Sequence, residues 1–398
     1  MSRIGVQGFQ HARLCQVLAA RRLSQVQLAS MVGVSPSTLS KWRSGNQAPE
    51  REKLERLAEV VNVTAEWFLR PCLADLLLPL FRSAASAHVA ARDMLQARLE
   101  WAQDIAIALE EFVDFPDVNI PDRQFTSPEQ ITSEDIEKAA AECRERWGLG
   151  RAVIEDLSLA AETAGILMIR EETGVAHIEG LSAWSRVLDR PFIFLSADKD
   201  NGYRSRFDLA HEVGHLVLHR KIGRSNSIDQ HKLLEKQAHR FAGALLLPAE
   251  SFATEIRIPP TLDDLLILKQ RWGVSVGAMI MRLSALDLID GDHKLALHKR
   301  KSARWGGKGE PGDSDRPAER PRLIKRTINL LLEEAIMPLA TMPRHFGLSA
   351  TDLEMIAGLP EGFFEGKSNV LQFAKLKQTK VLPENHLSPG EVLSFTKE

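Results

Sequence analysis

The stretch HEVGH at residues 211–215 sets two histidines four apart with a glutamate directly after the first. On a helix, positions four apart stand above one another on one face. His211 and His215 would therefore direct two imidazoles at one point, and neutral imidazole is a good zinc ligand. Glu212 falls about 100° round from His211, clear of the ligand pair but within reach of a metal-bound water. Two ligands plus a general base make the HExxH arrangement. Leu209, Val213, Leu216 and Val217 lie on the far side, so one face packs while the other carries chemistry.

A third ligand has to come from another element. LLEKQAHRFAGALLLP, residues 233–248, reads as a second amphipathic helix with Leu234, Ala238, Phe241 and Leu245 on its packed face. Glu235 lies off that face, and as a third ligand it would leave the fourth zinc position open to water. His239 follows one turn later, placed to receive or orient a ligand. A closed structural zinc site or a buried polar pair would be the plainer alternatives. Closed sites favour cysteine-rich ligand sets, however, and no cysteine lies near.

RSRFDLAHEVGHLVLH followed by EKQAHRFAGALLLP resembles the ImmA/IrrE metallopeptidase family over roughly residues 150–290. The resemblance implies that His211, His215 and Glu235 hold Zn²⁺ and that Glu212 is the catalytic glutamate. The family often has Asn or Asp where this chain has His239. It implies a zincin-like α+β domain with a small sheet, for which GILMIR and FIFLS suit two strands and GVAHIEGLSAW a third. On that plan His177 is a surface or edge residue. Tyr203, Arg204 and Arg206, at the entry of the zinc helix, are candidates to stabilise an oxyanion. His219 reads as a helix-end packing residue, and His231 as a weaker rival ligand.

Residues 10–70 read as short helices broken by glycine. Ser24 caps one helix, Gly33 ends it, and Ser35-Pro36 opens the next with a cap and a first-turn proline. This is a helix-turn-helix pattern, and LSQVQLASMVGVSPSTLSKWRSGNQAPEREKLERLAEVVNVTAEWFL resembles the Xre/lambda-repressor-like DNA-binding family. Leu28, Val34, Leu39 and Trp42 would lock the two helices together, leaving Ser37, Thr38, Ser40, Lys41 and Arg43 exposed towards the major groove. The resemblance gives Gln25 a phosphate-contacting position. Residues 1–49 carry six basic side chains and no acid, a local field that favours nucleic acid. A bundle that only binds a partner is the alternative.

The remaining segments are sorted by pattern. Residues 71–115 continue helical, with Leu95, Leu99, Ala102, Ile105 and Leu109 forming a stripe that packs against a second subunit or the peptidase. The proline-bearing stretch 115–130 reads as a linker, and EPGDSDRPAERP as a flexible bridge. LSATDLEMIAGLP near the end has the look of half a helix-turn-helix, and the chain from about Lys377 reads as disordered.

The expected plan is mainly α and multidomain. It comprises an all-α helix-turn-helix domain at 1–70, a helical connector and possible dimerisation segment at 71–150, an α+β zincin-like peptidase domain at 151–290, and a basic linker with helical C-terminal region at 291–398. The N-terminus lacks a signal-peptide core, the longest apolar stretch is far short of a membrane span, and the three cysteines imply no disulfide framework. A cytoplasmic protein is expected, with operator DNA, a protein substrate and a second copy of itself as partners. The expected function is a DNA-binding regulator with zinc endopeptidase activity. It would cleave an Xre-type repressor, separate or its own, to switch on mobile-element, stress or DNA-damage genes. The rival class is a repressor or antitoxin whose metal domain only senses or dimerises.

Overall fold

The computed structural model describes residues 5–73, 76–77, 86–174, 179–199, 201–223, 227–307 and 309–365. His177 and the tail from Lys377 lie outside them. Four helices build the N-terminal head: α1 (His11–Ala20), α2 (Gln25–Val32), α3 (Pro36–Arg43) and α4 (Arg51–Val61). Ser24 and Gln27 close a capping box on α2, Gly33 ends it in the left-handed region (φ 71°), and Ser35 caps α3 ahead of Pro36. Leu28, Leu39 and Trp42 are buried between the helices, as their spacing requires.

Beyond the head come β1 (Leu76–Leu77), α5 (Ser86–Leu109), α6 (Ser133–Arg146) and α7 (Leu157–Thr163). The sheet is completed by β2 (Leu167–Glu171), β3 (Gly180–Ser185) and β4 (Arg190–Ser196), in the order β1-β3-β4-β2. β2 runs parallel to β4, while β3 is antiparallel to both β4 and β1. Three strands fall where the apolar runs predict them. Helices α8 (Gly202–Leu218), α9 (Ile228–Leu246), α10 (Ala249–Thr254), α11 (Leu262–Trp272), α12 (Val276–Ala285) and α13 (Gly291–Trp305) follow. The last helices among the described residues are α14 (Leu323–Glu333), α15 (Met342–Phe346) and α16 (Ala350–Ala357).

Strand side chains alternate between faces, and here both faces are covered. Leu167, Ile169, Leu181, Ala183, Phe192 and Phe194 share one core with the head, α5 and α14–α16. Ile166, Met168, Trp184, Ile193 and Leu195 share the other with α6–α9 and the helices after them. The sheet is thus the wall between the half that holds the N-terminal head and the half that holds the HEVGH helix.

Helix α5 takes the second of the two expected packings, against the strands of the 151–290 region, and packs on the head as well. Leu95, Leu99, Ala102, Ile105 and Leu109 are each at most 1% exposed, buried against α1, the sheet and α15. The stripe that could have paired two subunits is already occupied within the chain. A polar seam lines the same helix: Arg13 bonds to Asp104, and Gln16 donates to Glu100 (2.6 Å).

Two stretches read as flexible are pinned instead. In 115–130, Asn119 accepts from the Trp147 indole (2.8 Å), Pro128 is buried, and Arg190 donates to the Pro116 carbonyl (3.1 Å). In EPGDSDRPAERP, the Glu310 carboxylate caps α12 by accepting from the N–H groups of Val276 and Gly277 (2.8 and 2.9 Å), and Lys269 donates to the Pro311 carbonyl (2.9 Å). Proline marked both as non-helical but could not say what they pack against.

The half-motif near the end is geometrically real. Gly347 is left-handed (φ 78°), and Ser349 caps α16 as Ser35 caps α3. Leu353 and Ile356 are buried like Leu39 and Trp42. Its Asp352, 1% exposed, is clamped by Arg21 of the head and Arg98 of α5.

Candidate metal centre

The zinc helix α8 and its partner α9 cross where Gly214 meets Phe241. A Cβ on Gly214 would lie 3.0 Å from the Phe241 ring, so the glycine lets the helices approach closely. That approach carries Glu235 to the histidine pair. His211 Nε2 and His215 Nε2 are 3.0 Å apart, Glu235 Oε2 lies 3.3 Å from the first, and Glu235 Oε1 lies 3.7 Å from the second. A tetrahedral zinc with bonds of about 2.0–2.1 Å sets its donors roughly 3.3–3.4 Å apart. Two imidazole nitrogens and one carboxylate at these spacings are a donor set that suits such an ion.

Protonation follows from the surroundings. Burial holds His215 well below the usual imidazole range, and the other histidines add to the effect, so it stays a neutral donor. Burial works against a charge on His211 too, but Glu235, Glu212 and Asp208 outweigh it and raise its pKa. Burial alone would raise Glu235, yet His211 brings its carboxyl below the ordinary value. Glu212 is 7% exposed, and burial pushes its carboxyl up to about 7 against the pull of His211 and the neighbouring Ser182 hydroxyl. Its Oε2 is buried without a partner of normal hydrogen-bond geometry among the described residues. Gly180 of β3 crowds it from above: a Cβ there would sit 2.9 Å from Glu212 Oε1.

A relay behind the site escapes sequence reading. His215 Nδ1 lies 2.8 Å from His219 Nδ1, His219 Nε2 lies 3.2 Å from Gln237 Oε1, and Gln237 Nε2 donates to the Pro128 carbonyl (2.7 Å). With His215 presenting Nε2 to the metal side, one proton assignment satisfies every link: His215 donates to His219, and His219 donates to Gln237. His219 therefore orients His215 as well as closing the helix. His219→Ala is expected to weaken zinc binding roughly 10–100-fold without abolishing it, as competition with a chelator would measure.

His239 stands at the mouth. Its Nδ1 donates to the Glu235 carbonyl (2.7 Å), and its ring lies 4.4 Å from that of His211. Donor atoms of His211, Glu235 and His239 lie within 4.8 Å of one another. His211, His215 and Glu235 form the tighter triangle, while His239 is exposed beside it. His239→Ala is expected to keep full zinc by elemental analysis. Zinc loss in that variant would make it a ligand. His231, on the same helix, adds its charge to those holding Glu235 down. A cavity of about 1060 Å³ opens beside His239, Phe207 and Asp208, room for several residues of an extended chain.

The candidate oxyanion groups point elsewhere. Tyr203 is buried, with the Lys269 ammonium 4.5 Å over its ring. Arg206, 1% exposed, donates to the carbonyls of Ile154 and Glu155 and pairs with Glu319 at 3.3 Å. Arg204 pairs with Glu179 on the surface (2.5 Å). Helical phase decides this: Tyr203 and Arg206 lie on the face of α8 that packs into the protein.

At the other end of the chain, Ser37, Ser40, Lys41 and Arg43 are exposed along α3 and Thr38 is half-buried. The Ser35 hydroxyl lies 2.8 Å from those of both Ser37 and Thr38. Gln25 donates to the Pro36 carbonyl (3.0 Å) and braces the start of α3.

Fold and site together define a helix-turn-helix regulator joined to a metallopeptidase-like domain. Residues 161–284 match the family model of the IrrE N-terminal-like domain, Peptidase_M78, and residues 16–68 match a helix-turn-helix model, HTH_3. The chain is thus a fusion of an ImmA/IrrE-type domain with an Xre-type DNA-binding head. No curated protein matches it. Among the described residues, no helix is long and apolar enough to cross a membrane.

Proposed function

We propose that this chain is a zinc-dependent endopeptidase and transcriptional regulator. It cuts an Xre-type repressor, a separate one or its own chain, and so switches on mobile-element, stress or DNA-damage genes in the cytoplasm. The observation that carries the reading is the convergence of His211, His215 and Glu235 beside the buried Glu212.

Zinc held there would polarise the scissile carbonyl and make a water nucleophilic near neutral pH. The chain's own residues do the rest. His219 and Gln237 keep His215 in the tautomer that offers Nε2. Glu212 takes the water proton at Oε2, which has no hydrogen-bond partner among the described residues, and returns it to the departing amine nitrogen. Apolar packing of α8 and α9 beneath the site leaves the mouth near His239 for substrate.

The test is metal content beside cleavage. His211→Ala, His215→Ala and Glu235→Ala should each lose stoichiometric zinc and all cleavage of repressor, read by elemental analysis and on a gel. Full zinc in Glu235→Ala would remove it from the ligand set.

The head brings the peptidase to operator DNA, in our reading as a homodimer on two half-sites. Lys41 and Arg43 are assigned to phosphate or base edges. Lys41→Ala in the full chain should weaken operator binding and lower the slope of log K against log salt by about 1. A slope unchanged by loss of both Lys41 and Arg43 would assign α3 to a protein partner.

A further inference from the structure

The cavity of about 1060 Å³ beside His239 draws much of its lining from α9, α12 and α13. Helix α12 lies against both of the others. It supplies an apolar floor through Ala278, Met281 and Ala285, whose spacing of three and four residues puts them on one face. Lys236 and Arg240 line the cavity from α9, and Lys294, His298 and Lys301 line it from α13. Both sets repeat at three or four residues, so each stands in a row along its helix. The proposed zinc ligands are close by. The His239 ring lies 4.4 Å from that of His211 and 5.8 Å from that of Phe207, which also lines the cavity.

Most charges around this hollow are already matched. Glu137 pairs with Arg282 (2.6 Å) and lies 3.6 Å from Arg240. Glu310 lies 3.2 Å from Lys301 and 3.4 Å from Lys269, Asp313 pairs with Lys269, and Asp208 lies 3.9 Å from Arg204. Lys236 and Lys294 are left over: among the described residues no carboxylate pairs with either. Burial lowers the pKa of His298, and Lys294 and Lys301 lower it further, as a positive field on that wall would. Two uncompensated ammonium groups above an apolar floor complement a chain that carries carboxylates among apolar side chains. Duplex DNA presents its phosphates on a convex surface, which does not enter such a hollow.

We propose that this cavity takes an acidic stretch of the substrate polypeptide, its carboxylates against Lys236 and Lys294, and so selects which chain is presented to the metal centre. The proposal rests on the peptidase reading of that centre. Lys236 directly follows Glu235 and precedes His239 by one turn. A carboxylate seated on Lys236 therefore leaves the adjoining residues of the same extended chain, about 3.3–3.6 Å each, to run past His239 towards His211.

The probe is a fluorescent peptide copying residues 108–117, in which Glu110, Glu111, Asp114 and Asp117 are set among apolar residues. A second peptide carries Glu→Gln and Asp→Asn at those four positions. Binding is read by anisotropy on full-length Glu212→Gln protein prepared with Zn²⁺, so that cleavage does not consume the probe. The acidic peptide should bind about tenfold more tightly than its amide form, with an advantage that shrinks as salt rises. Lys236→Ala and Lys294→Ala should each weaken the acidic peptide about threefold and leave the amide peptide unchanged. Lys236→Glu with Lys294→Glu should reverse the order, so that a peptide with lysine at the four positions binds best. Equal binding of the acidic and amide peptides overturns the proposal, and so does an acidic preference that survives the double reversal. Loss of that preference in the lysine variants, with wild-type protein cutting no repressor, supports the subsite and counts against the peptidase reading. Repressor cleavage with no acidic preference leaves the peptidase reading standing and removes the subsite.

Discussion

Glu212→Gln is expected to lower kcat for peptide cleavage by roughly 10²–10⁴-fold while leaving zinc and operator affinity in place. Glutamine keeps the shape of the side chain but cannot accept and return a proton. The groups proposed to hold the metal are His211, His215 and Glu235, so the substitution leaves them in place. The head lies across the sheet from Glu212, in the other core, so DNA binding should be untouched. Gel analysis of repressor incubated with wild type and variant, with zinc measured on the same samples, decides it. Fragments that persist in the variant would show that another group takes the proton, and the assignment of Glu212 would fall.

Asp352→Ala should destabilise the folded chain by about 3 kcal/mol, the lower part of the range for breaking a buried ion pair. Asp352 faces two guanidiniums, Arg21 and Arg98, which lie over the same buried Trp101 ring at 5.1 and 4.9 Å. Removing the carboxylate leaves both cations without their anchor, although Arg21 keeps a fifth of its side chain in water and Arg98 retains Glu171 at 3.6 Å. Burial would raise the Asp352 carboxyl, but Arg21 and Arg98 outweigh it and hold it below its ordinary value. The sign follows from linkage: a depressed folded pKa gives stability that is full above the unfolded value near 3.9 and is lost as pH falls through the folded one. Denaturant unfolding at pH 6 should separate variant from wild type, and the gap should close progressively below about pH 4. A gap that stays constant down to strong acid would mean that the ion cluster contributes nothing.

The chemistry was legible because it is local. HEVGH and the helix bearing Glu235 each declare their face through a repeat of three to four residues, and Gly33, Ser35 and Pro36 declare the turn of the head in the same way. What was illegible is long-range. Nothing near Gln237 or Pro128 announces that they hold His219, and Tyr203 and Arg206 sit at the right distance along the chain from His211 but on the wrong side of the helix. The stripe on α5 announces that it is buried without naming its partner, and α1, the sheet and α15 supply it. Prolines in 115–130 and around 311–321 exclude helix correctly, yet the carbonyls they leave free are taken by Arg190, Lys269 and Gln237 from distant elements. Periodicity gives a face its character, and only the assembled chain gives that face a neighbour.

The clamp on Asp352 also sets an order of events in synthesis. The head leaves the ribosome first, and domains generally fold as they emerge, but the carboxylate that seats Arg21 lies 331 residues further along the chain. Until α16 has been made, Arg21 and Arg98 lack that partner and α5 lacks its last cover. A polypeptide terminated anywhere before residue 352 would carry a complete helix-turn-helix on an unfinished support. Such fragments are expected to be cut by added protease more readily than the full-length chain.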